Sequence, residues 1–326
     1  MSRLVLTEFG GEPRLEATGD LTPGAGEVLV AMEAAPINPA DFLLAAGYYA
    51  VRPPLPAALG SEGVGRVVAL GPGADPALEG RRVLVLPTYE QGTWADRVVV
   101  PARNTVVVGE TADARQLAML PINPATAHLL LQRYRDLRPG DWVGVTLGNS
   151  AVGQYVTTLA RRRGIRVLAV VRRAAAAERI KALGADAVLV DDGQADVAAE
   201  AAAALGGARL RAVFDGLGGA RAGLLVPELQ DGGAVVSYSA ITGEAPVLPL
   251  GDLVFRELSH HGLFVINWVR TAPREEIERT YGELAALVED GTLAAEVEAT
   301  YALADHAAAF AHARRGERGG KVLFTF

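Results

Sequence analysis

Up to about residue 120 the apolar residues come in short runs broken by glycine and proline. The runs fall at 27–32, 63–70, 82–86, 94–100 and 105–108, with GGEP, NPAD and GPGAD marking turns. Short strands at close spacing predict a barrel or sandwich. Near Leu120 the rhythm changes. Strand-like runs at 142–147, 166–171, 187–190, 210–215, 234–239 and 262–267 alternate with helical spacing at 152–163, 174–183, 195–205 and 221–229. Alternation of this kind builds a parallel sheet covered on both faces. Six strands in this order suit a doubly wound dinucleotide-binding fold. The chain then leaves that pattern. A helix is expected at 273–289, opened by Glu275 and Glu276 and stopped by Asp290 and Gly291. A strand at 296–301, a short helix at 304–314 and a last strand at 322–326 follow, and this tail can pack back on the N-terminal part.

Composition narrows the chemistry. The 326 residues suggest about two domains. A net charge of −7 argues against broad nucleic-acid binding, which favours a basic domain or stripe. The chain has no cysteine. That removes disulfides, thiolate nucleophiles and cysteine-bound zinc. The 5 histidines show neither H-x-x-x-H nor HExxH spacing, so no metal site is expected. The first residues lack the apolar run and cleavage site of a signal peptide, and no apolar stretch reaches the length of a membrane span. The expectation is a soluble cytoplasmic protein.

The strand at 142–147 runs straight into Gly148, Asn149, Ser150, Ala151, Val152 and Gly153, and then a helix. The dinucleotide fingerprint is G-x-G-x-x-G at such a junction; here Ser150 takes the middle glycine. Gly148 can make the tight turn and Gly153 lets the helix lie close on the strand. The helix N-terminus offers free N–H groups to a pyrophosphate, and Ser150 has a hydroxyl to donate. The plain alternative is a tight strand–helix turn with no ligand. A hydrolase elbow, G-x-S-x-G, fails because Val152 stands at its second glycine. NAD-binding folds place an acidic residue at the end of the second strand. This chain has Arg172 and Arg173 there. A guanidinium pairs with a 2′-phosphate that a carboxylate would repel, which predicts NADPH (NADP+); otherwise the two arginines are a solvated loop pair. Glycines after Asp215 would let the nicotinamide half approach the backbone.

Three stretches carry a likeness to a known family: Ile37 to Asp41 (INPAD), Gly60 to Gly65 (GSEGVG) and Gly320 to Leu323 (GKVL). With them the chain resembles the medium-chain dehydrogenase/reductase superfamily over essentially its whole length. The resemblance implies an α/β protein. A GroES-like β-barrel catalytic domain would comprise 1–122 and 266–326, and a Rossmann doubly wound NADP-binding domain 123–265. Zinc alcohol dehydrogenases carry a cysteine near the position of Asn38 and a GHE motif where this chain has Gly60, Ser61 and Glu62. Both ligands are missing, so a zinc-independent branch is implied. The mitochondrial-type 2-enoyl thioester reductases look closer than the quinone oxidoreductases. The shared features are N-P-A-D, Gly47–Tyr48–Tyr49 before a proline-rich turn, Gly92–Thr93–Trp94, and N-P-A-T-A around Thr126. The N-S-A-V-G-Q turn, the V-V-R strand end and GLFVINW at 262–268 add to them.

Reduction of a conjugated C=C needs a hydride at the β-carbon, a proton at the α-carbon and support for the enolate-like oxygen between the two. The family tyrosine falls on Tyr49, as proton donor or carbonyl polariser; Tyr48 is the alternative facing the substrate. Asn38 either bridges cofactor ribose and substrate or caps a turn before Pro39. Thr126 lies near the nicotinamide, caps a helix, or does both. Tyr238 is a further cofactor contact. Phe264 and Trp268 wall an acyl pocket or pack in the core. Glu62 reads as a structural anchor, and the histidines carry no visible chemistry. The resemblance also implies a homodimer through edge strand 259–269, an apolar edge costly to expose. The function expected is NADPH-dependent reduction of an enoyl-CoA or enoyl-ACP. A quinone or small-enone reductase, or a non-catalytic NADPH-binding protein, are the alternatives.

Overall fold

The structure, a computed structural model, describes residues 1–239, 241–316 and 318–326. The chain divides into one unit of Met1–Ile122 with Ile266–Phe326 and a second of Asn123–Val265.

The first unit is mostly antiparallel sheet. Its elements are β1 (Ser2–Leu6), β2 (Arg14–Ala17), β3 (Glu27–Pro36), α1 (Pro39–Ala45), β4 (Ala57–Ala58), β5 (Gly63–Leu70), β6 (Arg82–Val85), β7 (Arg97–Pro101), β8 (Thr105–Val107) and α2 (Ala114–Leu117). Alternate residues of β3, β6 and β7 (Val28, Val30 and Met32; Val83 and Val85; Val98 and Val100) close on Val67 of β5 as one core. Only β7 shows the period-2 burial of a strand with one covered face; Leu29 in β3 and Leu84 in β6 are buried as well, so those strands are covered on both faces. A second cluster gathers Leu4, Leu6, Ile37, Leu44, Leu59, Trp94, Phe310 and Phe324, with Tyr49 and Tyr89 packed against it.

The second unit holds α3 (Asn123–Arg133), β9 (Trp142–Val145), α4 (Ala151–Arg162), β10 (Arg166–Val171), α5 (Ala174–Leu183), β11 (Ala187–Val190), α6 (Val197–Leu205), β12 (Leu210–Asp215), β13 (Leu229–Ser237), α7 (Leu250–Phe255) and β14 (Ser259–Gly262). All five neighbouring pairs are parallel, in the order β11-β10-β9-β12-β13-β14. This is the doubly wound order, with its reversal between β9 and β12. The first unit resumes at Ile266, inside α8 (Val265–Thr271), and continues with α9 (Arg274–Glu289), β15 (Val297–Tyr301), α10 (His306–Ala313) and β16 (Lys321–Thr325). β16 lies between β15 and β3, so the last residues complete the first unit's sheet.

Two expectations fail. The strand expected at 262–267 ends at Gly262. Leu263 N–H still bonds to Ser237 O at 2.8 Å, and then the chain turns helical. Val265, Ile266, Trp268 and Val269 are buried while Asn267 and Arg270 are exposed. That is helical spacing, and a short apolar run reads equally well as strand until its burial is known. The helix expected at 221–229 is instead two 3-10 turns, Gly219–Gly223 and Val226–Glu228. Pro227 disfavours the α conformation at the residue before it, and the glycines weaken a helix further. The edge that remains, Ser-His-His-Gly, is polar rather than the long apolar ribbon expected. Among the described residues no helix is long and apolar enough to cross a membrane.

Candidate active site

In the first unit the site grows from the two ends of α1. At its start Asn38 is the N-cap and Pro39 takes N1, where a missing N–H is harmless. Asp41 reaches back, its Oδ2 accepting the Asn38 N–H at 2.7 Å. At its end Gly47 N–H bonds to Leu44 O at 2.9 Å and Tyr48 N–H to Leu43 O at 2.8 Å. Gly47 adopts φ +79°, the left-handed turn that closes helices and suits glycine. This turn sends Tyr48 outward, 83% exposed. Tyr49 goes inward, its ring centroid 5.8 Å from that of Tyr89. Arg52 fixes the loop by donating to Gly47 O at 2.5 Å.

Beneath Tyr49 lies a buried polar network. Asn38 Nδ2 donates to Glu62 Oε1 at 2.8 Å, and Ile122 N–H donates to Glu62 Oε2, also at 2.8 Å. Lys321 Nζ donates to Asn38 Oδ1 at 2.6 Å. The Asn38 amide is thus gripped at both ends, and its orientation is set by the first and last parts of the chain together. Burial pushes the Asp41 carboxyl up to about 6, with the Asn38 N–H opposing part of the rise. Burial likewise pushes Glu62 up, partly opposed by Lys321, and pulls Lys321 down. The Tyr49 hydroxyl is also pushed up by burial, with Tyr89 beside it opposing and the Asp41 and Glu62 carboxylates adding to the rise. Each of these shifts penalises charge in a low-dielectric place. Among the described residues no group of His, Cys, Asp and Glu gathers in a way that could hold a metal ion.

The second unit contains the glycine-rich strand–turn–helix expected to bind a diphosphate. Gly148 N–H bonds to Val170 O at 2.9 Å. Ser150 is the N-cap of α4, its Oγ accepting the Gly153 N–H at 3.0 Å. The same hydroxyl donates to Leu147 O at 2.8 Å. Its single proton is therefore engaged, so Ser150 shapes the turn and the hydrogen bond expected to be spare is spoken for. A Cβ at Gly153 would lie 2.5 Å from Leu147 O and 2.6 Å from Gly148 O, so only glycine lets α4 start this close to β9. The α4 N-terminus, with Asn149, Ala151 and Val152 around it, fits a diphosphate through the dipole of a twelve-residue helix. Arg172 and Arg173 stand exposed at the end of β10, where a ribose phosphate would find two guanidinium groups. Tyr238, just past β13, brings its hydroxyl to 3.5 Å from Ser150 Oγ, and burial pushes that phenol up. Asp215 at the end of β12 accepts from Thr146 Oγ1 at 2.6 Å and from the N–H groups of Leu217 and Gly218, which holds the glycine loop in shape.

Other candidates land elsewhere. Thr126 is buried inside α3, past its first residues, and does not cap the helix. Phe264 is half-buried in the segment between β14 and α8. Trp268 is 2% exposed. Its indole donates to Glu276 Oε1 at 2.7 Å and its ring packs 5.7 Å from Tyr281. A Trp buried and hydrogen-bonded in this way is anchored in its own unit's core, the second of the two readings offered for it.

Two family descriptions match this chain. Residues 24–110 match the alcohol dehydrogenase GroES-like domain, and residues 151–285 match a domain described as zinc-binding dehydrogenase. The mitochondrial enoyl-[acyl-carrier-protein] reductase of Arabidopsis thaliana is 32% identical over 91% of this chain and 81% of its own. The chain belongs to the medium-chain dehydrogenase/reductase superfamily, beside the enoyl reductases. Among solved members, a mycobacterial quinone oxidoreductase is similar over the full length of both chains, at 29% identity and TM-score 0.87. A mycobacterial member complexed with NADPH is 28% identical, again over both full lengths, at TM-score 0.84.

The sequence reading missed three groups. Asp41 and Lys321 lie in the INPAD and GKVL stretches but had no role assigned; Lys321, one of only two lysines, could have been noticed on that count. Tyr89 lies in no motif, and only the tertiary structure brings it to Tyr49.

Proposed function

We propose that the protein is an NADPH-dependent, zinc-independent reductase of the C=C bond of conjugated carbonyl compounds, with 2-enoyl thioesters of CoA or acyl carrier protein as substrate. The observation that carries this reading is Tyr49. It is a half-buried phenol, turned inward by the end of α1 and held protonated by its surroundings. Bound NADPH supplies the hydride. The α4 N-terminus and the Gly148–Gly153 turn hold its diphosphate, with Arg172 and Arg173 on the 2′-phosphate. Tyr49 donates a hydrogen bond to the substrate carbonyl oxygen, steadies charge developing there, and gives a proton towards the α-carbon. Asn38, clamped by Lys321 and Glu62, keeps the wall beside Tyr49 rigid. Likeness to an enoyl reductase at 32% identity supports the thioester. Likeness to a quinone oxidoreductase at 29% identity supports the second reading, a quinone or small-enone reductase on the same residues. The same proposal makes the protein cytoplasmic, and the family resemblance supports a homodimer joined through the edge of β14, held by backbone pairing of a polar strand rather than by apolar burial.

The test is stopped-flow NADPH oxidation with crotonyl-CoA and longer enoyl-CoAs against benzoquinones and alkenals. Thioester turnover above the quinone rates is expected; the reverse order selects the second reading. Tight NADPH binding without turnover on any of them removes both. Tyr49→Phe should lower kcat about a hundredfold or more with little change in NADPH affinity.

A further inference from the structure

The loop between β6 and β7 presents a second phenol to Tyr49. Tyr89 has φ +60°, a backbone region rarely adopted by bulky residues, and such conformations persist only where the surroundings impose them. Here they do. Thr88 O accepts from Arg270 at 2.7 Å and Thr88 Oγ1 accepts from Asn104 Nδ2 at 2.9 Å. On the other side Gln91 Nε2 donates to Leu86 O at 2.9 Å, and Glu90 is held outward by Arg103 at 2.7 Å. Tyr89 between them is forced inward. It lines a small cavity with Asp41, Leu44, Gly60 and Gln91, and its ring is tilted 51° against that of Tyr49. Its hydroxyl is buried and completes no well-formed hydrogen bond among the described residues, and the Tyr49 hydroxyl is the group close enough to pair with it. A buried hydroxyl without a well-formed hydrogen bond is destabilising, so one kept in place by a left-handed backbone and four tethers points to use.

We propose that Tyr89 is a positioning residue whose hydroxyl donates to the Tyr49 oxygen when Tyr49 gives up its proton. This rests on Tyr49 acting as the proton donor. The step balances simply. The Tyr49 O–H bond breaks and its proton forms a C–H bond at the α-carbon of the enolate. The charge left on the Tyr49 oxygen is met by the Tyr89 O–H, and water reprotonates Tyr49 after product leaves. Tyr89 is the hydroxyl that opposes the rise in the Tyr49 pKa. The charged groups facing Tyr49 are the carboxylates Asp41 and Glu62, which disfavour a phenolate, and Arg52 on its own loop donates to Gly47 O.

Tyr89→Phe removes only the hydroxyl. It should lower kcat about tenfold or more, leave the KM for NADPH unchanged, and move the alkaline limb of the kcat profile to higher pH. In a Tyr49→Phe background the same substitution should do nothing further, because Tyr89 acts through Tyr49. An unchanged profile, or an equal loss of rate in both backgrounds, overturns the proposal. Ultraviolet titration of tyrosinate in the free protein gives a readout independent of turnover. The absorbance step lost in Tyr49→Phe should occur at higher pH in Tyr89→Phe, and at lower pH when Tyr89→3-fluorotyrosine supplies a stronger donor. If that step does not move in either variant, Tyr89 has no such role, even if the enzyme reduces enoyl thioesters. If it moves while no enone or quinone is turned over, the assigned reaction fails and the coupling between the phenols stands.

Discussion

At the scale of residues, the site is dominated by groups whose charge is penalised. Asp41 shows the consequence for stability. Its folded-state pKa lies at about 6 against 3.8 for a free side chain. Between those values the folded protein binds more protons than the unfolded one, so stability falls as pH rises from about 4 to about 6. Integrated over that window the loss from this one group is on the order of 3 kcal/mol. Asp41→Asn keeps an oxygen for the Asn38 N–H and has no proton to lose. Urea unfolding at several pH values should show the variant gaining on the wild type as pH rises through this window; a constant difference would place the penalty elsewhere. Tyr49 was legible as a residue because its motif is local, whereas the partners that tune it are not. Asp41 sits eight residues away, Glu62 thirteen and Tyr89 forty, and no local pattern links them.

At the scale of elements, the strand–turn–helix at β9 and α4 was the most readable part of the chain. Gly148 and Gly153 mark it because close backbone approach excludes side chains, a rule that acts over six residues. The serine between them was harder to interpret. Its hydroxyl serves the cap, so Ser150→Ala should cost about 1 kcal/mol of stability. Measured by calorimetry, NADPH affinity in that variant should fall much less than in Arg172→Ala with Arg173→Ala, where loss of charge-assisted bonds should raise the Kd for NADPH about 10- to 100-fold and leave NADH nearly unaffected. Equal losses for both cofactors would remove the arginines from 2′-phosphate recognition. The 262–268 segment misled for the opposite reason. Its run of apolar residues satisfies period 2 and period 3.6 alike, and packing against the first unit's own residues Glu276 and Tyr281 settles it as helix.

At the scale of the whole molecule, one unit is built from two distant parts of the chain and the other from a single stretch. NADPH bound to the folded second unit raises its stability by mass action, about 2.7 kcal/mol at a hundred times Kd. Differential scanning calorimetry should therefore show a larger rise in Tm with NADPH than with the same concentration of NADH; identical shifts would count against the cofactor assignment. The sequence by itself determined most of the order of elements, the two kinds of architecture and the tight strand–turn–helix at Gly148–Gly153, since each follows from spacing within a few residues. Only the tertiary structure decided which side chains meet at the site. Lys321 reaches Asn38 from the last strand, 283 positions along the chain. Trp268 withdraws into the core, and Tyr89 is pressed against Tyr49 by tethers from Asn104 and Arg270. Such contacts come from β16 pairing with β3 and from a loop held at both ends, and long-range pairing leaves no periodic trace in the sequences it joins.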